Sequence, residues 1–254
     1  MDIVKHNRDA WTKEVLSGDR WTIPVDSETI AKAKNDDWQL VLTPTIFVPR
    51  DWFSIIKNKK ILCLAAGGGQ QGPILSAAGA DTIVFDNCPA QLEQDRFVAL
   101  RDNLNIEFVQ GDMRDLSCFE NESFDLIFHP VSNCFVDRVD TVWQECFRIL
   151  KPKGRLLAGF ANPLIYIFDQ TAWDNNELEV KYTIPYSDIA QLPDDELKKR
   201  IKNKDTLEFG HSLDTQIGGQ IKAGFAIKGF YEDLAGGDLL DTYIKTFMAT
   251  LAVK

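Results

Sequence analysis

Between Ile61 and Gly72 the chain reads ILCLAAGGGQQG, an apolar run that breaks into glycines and glutamines. A short apolar run without polar alternation is a strand buried on both faces. Glycine after such a strand permits positive φ and close approach of backbone N–H groups to a ligand at the following helix N-terminus. Gly67, Gly69 and Gly72 match the spacing G-x-G-x-x-G, which belongs to the first strand–turn–helix unit of a parallel sheet. Alone the match is weak: a tight turn with no ligand has the same spelling, and so does a turn holding a dinucleotide.

The flanking sequence repeats the unit. KILCLAA, TIVFD, IEFVQGD, SFDLIFHP and GRLLAGF read as strands, alternating with the helices GPILSAAGA, PAQLEQDRFVALRDN and DRVDTVWQECFRIL. This alternation predicts an α/β fold, a doubly wound, Rossmann-like sheet covered on both faces. The rhythm lapses at about residues 170–206, a polar insert with Pro185 and Pro193, expected to cover the substrate with Phe168, Trp173, Tyr182 and Tyr186 as its aromatic content. A helix in SLDTQIGGQIKAGF and strands in AIKGFYED and TYIKTFMATLAVK follow. Residues 1–55 read as an N-terminal flap on a domain of residues 56–254. HNRDAWTKEVLSG predicts a helix ended by Gly18, and DSETIAKAKN a second capped by Asp26 or Ser27.

The chain has 254 residues and a formal charge of −10. That surface repels a phosphate backbone, so nucleic acid is not an expected partner. The basic run KKRIKNK follows an acidic DDE and reads as a solvated helix face. Five cysteines without any C-x-x-C are expected to be free, buried thiols in a reducing compartment. The polar start MDIVKHNRDAW is not the pattern expected of a signal peptide, and no apolar run reaches the ~20 residues that span a bilayer. The expectation is a cytoplasmic protein.

Two acids sharpen the ligand. Asp86 ends the second strand, where a carboxylate can accept from both ribose hydroxyls of an adenosine. In GDMRDL, after the third strand, Asp112 can accept from an adenine amine while the Met113 backbone meets the ring. With these residues the chain resembles class I S-adenosylmethionine-dependent methyltransferases, of the small-molecule type similar to ubiquinone/menaquinone methyltransferases. LCLAAGGGQ sets Ala65, Gly67 and Gly69 on the three glycines of the family turn, and RILKPKGRLL resembles the segment before the fifth strand. The resemblance covers about residues 60–162 and 212–254. It implies a seven-stranded sheet with a reversed last strand and S-adenosyl-L-methionine as cofactor. The implied cofactor residues are Ala65, Ala66, Gly67, Gly69, Gln70, Gln71, Asp86, Asn87, Gln91, Asp112, Met113, His129 and Pro130. Three departures stand out: Cys63 replaces an acid that orients the turn, Ala65 the first glycine, and Lys153 a glycine before the fifth strand. Ala65 asks for an unstrained backbone. Gln70 and Gln71 are expected to supply the methionine contacts that the missing acid would organise.

Transfer of a sulfonium methyl is an in-line displacement in which the protein aligns and desolvates. A base is needed only if the acceptor arrives protonated. His129, at the tip of the fourth strand, is the candidate catalytic residue, with a structural or cofactor-contacting imidazole as the alternative. Ser132 and Asn133 on the same loop are candidate substrate contacts, and His6 and His211 are expected on the surface. On the flap, Arg8 is expected to meet the methionine carboxylate and Trp11 to wall the pocket, while Trp21 and Trp38 pin the flap to the core. The function expected is methyl transfer to a small-molecule acceptor. A non-catalytic binder of the cofactor or its demethylated product, and a nucleotide-dependent oxidoreductase, are the alternatives.

Overall fold

The computed structural model describes residues 1–254. Helices α1 (Ile3–Ser17), α2 (Ser27–Lys34) and the single turn α3 (Arg50–Phe53) precede the sheet. The side chain of Asp2 caps α1 by accepting from the Lys5 amide, and Asp26 caps α2 by accepting from Thr29. The first α/β units are β1 (Lys60–Leu64), α4 (Gln71–Ala77), β2 (Asp81–Asp86), α5 (Pro89–Asp102) and β3 (Ile106–Gln110). Then come β4 (Phe124–His129), α6 (Val139–Ile149) and β5 (Leu150–Ala161). The insert region holds α7 (Gln170–Asp174), the short strands β6 (Tyr186–Ser187) and β7 (Phe209–Gly210), and helices α8 (Asp188–Gln191) and α9 (Asp194–Asn203). The chain closes with α10 (Gly219–Ala223), β8 (Ala226–Asp233) and β9 (Phe247–Val253).

The main sheet has the order β3-β2-β1-β4-β5-β9-β8, and β9 runs antiparallel to both neighbours while the other pairs are parallel. The pleat sends alternate side chains to two cores. Ile61, Cys63, Leu126, Phe128 and Leu157 join α2, α3 and α4 on one face. Leu62, Leu64, Ile127, Leu156 and Ala158 face α6 on the other. In α6 the buried Val139, Val142, Trp143, Cys146 and Ile149 lie three or four residues apart, on one helical stripe. No helix is long and apolar enough to cross a membrane.

Several local expectations change. The helix expected in SLDTQIGGQIKAGF begins as a π-helical turn, Asp214–Gly218, before α10. The last strand starts at Phe247 rather than near Thr242. Cys118 is exposed, whereas the other four cysteines are buried. Ala65 and Lys153 both stand at left-handed φ, 48° and 66°, where glycine is the unstrained residue. The backbone at Ala65 is therefore strained, against expectation.

Candidate active site

Succession reverses between β1 and β4: the chain moves outward to β2 and β3 on one side and to β5 on the other. A crevice opens at such a switch point, above the carboxyl ends of the strands. Here it is a cavity of about 310 Å³, lined by 32 residues. Ala65, Ala66, Gly67, Gln70 and Gln71 form its floor at the β1 turn, with Asp86, Asn87 and Gln91 beside them. Asp112 and Met113 line it after β3, and Pro130 and Ser132 after β4.

Glycine at this turn serves the protein's own packing. Gly68 has φ +124°, and a Cβ there would meet the Trp21 carbonyl oxygen at 2.6 Å. Gly69 has φ +76° and is pressed by Pro24. The flap thus lies on the turn, held by Val25 N–H to the Gly69 carbonyl at 2.9 Å. The Gln70 amide donates to the carbonyls of Arg20 and Ile23 at 2.9 and 3.0 Å, so it fastens the flap instead of reaching for a ligand. Gly69 itself is not in the cavity lining.

Asp95 takes the place of the acid that Cys63 leaves missing. It is fully buried on α5, and its carboxylate accepts from the Gly68 amide at 2.9 Å. Burial raises its pKa to about 8. Its other oxygen and Oε1 of Gln91, one helical turn earlier, are both buried acceptors without a donor.

The Asp86 carboxylate is half-buried. One oxygen accepts from the Cys88 amide at 2.8 Å and the other from Gly67 at 3.0 Å, leaving lone pairs for two hydroxyls. Burial raises its pKa, and those amide bonds oppose the shift. Asp112 is gripped by the Arg114 guanidinium, 2.6 Å from its Nη2, and Arg114 also pairs with Asp137.

Three expected contacts are displaced. Arg8 lies outside the lining, its guanidinium on the Asn87 side chain at 3.0 and 3.1 Å, so it steadies the residue after Asp86 and meets no methionine carboxylate. His129 is fully buried under Trp143, with Nδ1 2.9 Å from the Leu64 carbonyl and Nε2 2.7 Å from Asn133 Oδ1. Both nitrogens are engaged and burial lowers its pKa, so it braces the β1 and β4 tips and is neither base nor cofactor contact. Asn133 is likewise buried, donating onward to Gln216 at 3.1 Å, and is no substrate contact.

Of the other histidines, His211 is not on the surface. His211 is buried against the carbonyls of Val136 and Asn133, and half-buried His6 bonds the Asp205 carbonyl. Trp11 does line the cavity, edge-on to Phe135 at 5.2 Å. Trp21 lines it as well, contrary to a pure anchoring role, while Trp38 packs in the core on Phe53. No residue of 170–206 reaches the lining. The insert's Tyr182 packs tilted against Tyr186 and Trp173 edge-on to Phe168, while Tyr186 stacks on Tyr166 at 5.4 Å. The residues that do close this end, Tyr166 and Glu208, flank the insert.

Sheet order, the reversed terminal strand and acids beyond the second and third strand tips define the class, an S-adenosylmethionine-dependent methyltransferase. The residues fit that cofactor: Asp86 offers free acceptor sites for a ribose beside the glycine turn, and Asp112 and Met113 line the same cavity. A family model described as a methyltransferase domain matches residues 62–158. The chain is 52% identical over 252 residues to the uncharacterized methyltransferase YbaJ of Bacillus subtilis (strain 168), covering 99% of this chain and 98% of that one. It belongs to this methyltransferase family, which sets aside the oxidoreductase reading of the glycines. A demethylmenaquinone methyltransferase of Clavibacter sepedonicus is 30% identical over 138 residues, 54% of this chain and 53% of that one. In fold, the chain is similar to an S-adenosylmethionine-dependent methyltransferase from Mesorhizobium loti, with TM-score 0.62 and 17% identity over 81% of this chain and 95% of that one.

Proposed function

We propose that the protein transfers the methyl group of S-adenosylmethionine to a small-molecule acceptor inside the cavity. In this reading Asp86 holds the ribose, Met113 and Asp112 flank the adenine, and the turn from Ala65 to Gln71 receives the methionine end. The bound cofactor supplies an electrophilic methyl on a sulfonium. The protein aligns the acceptor with it and excludes water. Trp11 and Trp21 line that space, and an aromatic face against a cation gives about 1 kcal/mol.

The observation that carries the small-molecule reading is the roof. Residues of α1 and the flap, among them Val4, Trp11 and Trp21, line the same cavity as the strand tips, so an acceptor must fit beneath them. We also read residues 1–55 as a lid on the domain of residues 56–254. The test is transfer of tritium from labelled cofactor into a cell extract separated into small-molecule, protein and nucleic-acid fractions. Label in the small-molecule fraction is the expected result, and label confined to macromolecules would overturn it.

A further inference from the structure

Beyond the residues assigned to the cofactor, the cavity is walled by Leu42, Pro44, Val136, Ile165 and Phe247. The polar side chains among them are mostly committed elsewhere. Asn7 is tied to the backbone of Phe135 and Leu207 by bonds of 2.8 to 3.0 Å, and Thr43 Oγ1 faces Tyr231 at 3.4 Å. One pair stands apart. The Tyr166 hydroxyl donates to Glu208 Oε2 at 3.0 Å, and both residues line the cavity. Thr206 Oγ1 donates to Oε1 at 3.3 Å, which leaves the carboxylate with unused lone pairs. A Cβ on Gly210 would meet the Tyr166 ring at 2.6 Å, so the ring is seated on glycine and held in place.

The charges around the pair are accounted for. Asp188 accepts from the Glu208 amide at 2.8 Å and from the Tyr186 hydroxyl at 2.8 Å, and Arg200 lies 3.4 Å from it. Glu208 forms no salt bridge of its own, and Cys134 is the remaining titratable neighbour on the cavity side. Burial and the Asp188 charge raise the Glu208 pKa, with Arg200, Tyr166 and Thr206 opposing. Burial also holds the Tyr166 phenol well above its ordinary range, so it remains a donor. A carboxylate with unused lone pairs, set in an apolar cavity with few polar groups, is suited to accept a proton.

We propose that Glu208, positioned by Tyr166, is the catalytic proton acceptor for an apolar molecule bearing one hydroxyl, so that the product is a methyl ether. The proposal rests on the methyl-transfer reading above. The acceptor O–H gives its proton to the Glu208 carboxylate as an oxygen lone pair forms the new C–O bond. The C–S bond breaks with its electrons left on sulfur, now a neutral thioether, and no oxidant or reductant is required. A neutral amine needs no such base before attack, which is why the geometry favours a hydroxyl.

The test uses the full chain, tritiated cofactor and a metabolite extract, with Glu208→Gln and Tyr166→Phe compared with wild type. The proposal predicts label in a product stable to mild alkali and released by hydriodic acid, as an ether methyl is. It predicts a rate about 100-fold lower for Glu208→Gln and about tenfold lower for Tyr166→Phe. Tyr166→Phe removes a donor to the carboxylate, so the acid limb of its pH–rate profile should move to higher pH, a change that a merely structural loss would not give. Without any acceptor, the carboxyl carbon of Glu208 in 13C-glutamate-labelled protein, assigned by its absence from Glu208→Gln, should titrate above the ordinary glutamate value of about 4.3. Calorimetry with S-adenosylhomocysteine should give equal affinity for all three proteins. Label on nitrogen or carbon, full activity of Glu208→Gln, or ordinary Glu208 titration would overturn the proposal alone. Absence of S-adenosylhomocysteine binding to wild type would overturn the methyl-transfer reading beneath it.

Discussion

The carboxylate of Asp95, in the middle of α5, accepts a hydrogen bond from the amide of Gly68 at 2.9 Å and so supports the glycine turn from below. Asp95→Ala leaves that amide only its longer 3.2 Å bond to the Gln91 carbonyl and should destabilise the fold by about 1 kcal/mol. Asp95→Asn keeps an oxygen for Gly68 and carries no charge to desolvate. The folded pKa of about 8 lies above the ordinary 3.8. Across that window the folded state keeps a proton that the unfolded chain has lost, so this group's contribution falls as pH rises. Thermal melts at pH 5 and pH 8 should therefore shift in favour of Asp95→Asn, relative to wild type, at the higher pH.

Much of the sheet was legible because a buried parallel strand must be apolar throughout, as KILCL and TIVFD are. Asp86 was legible because a strand tip facing a crevice is a place for a lone acid. Asp95 was missed as an ordinary helical acid, although it shares a buried face with Leu92, Val98 and Ala99; that spacing was the available signal. His129 misled for a related reason. Its tip position suggested chemistry, but the pleat turns it with Ile127 toward α6 and Trp143. Tyr166 and Glu208 lie 42 residues apart, and only tertiary packing joins them, so no local pattern could announce the pair.

His129 is read here as a brace. His129→Ala should cost about 2–4 kcal/mol through lost packing and hydrogen bonds, lowering the melting temperature by several degrees. The pH dependence of methyl transfer should keep its shape. Loss of a limb between pH 6 and 7 would show that the imidazole titrates in the reaction.

Gln70 ties the flap to the turn. Gln70→Ala removes two hydrogen bonds to flap carbonyls, and limited proteolysis should then cut within residues 18–25 faster than in wild type. Bound S-adenosylhomocysteine should reverse part of that gain, because Trp21 lines the cavity beside it. Equal cleavage rates would contradict the tie.

Lys153 is exposed and stands at φ 66°, a conformation that costs a non-glycine residue roughly 1–2 kcal/mol. Glycine relieves this and returns about 0.5–1 kcal/mol through its freer unfolded chain. Lys153→Gly should raise stability by about 0.5 kcal/mol, read as a small shift in the denaturation midpoint at constant slope. A lower midpoint would show that the lysine side chain stabilises the turn.

The most direct test of the account is a calorimetric titration of wild type and Asp86→Ala with S-adenosylhomocysteine. The carboxylate's bonds to a ribose should each contribute about 1.5–3 kcal/mol. One-to-one binding by wild type, weakened by about 100-fold or more in the variant, is the predicted result. Equal binding by both proteins, or none by wild type, would contradict the placement of the nucleoside at the β2 tip.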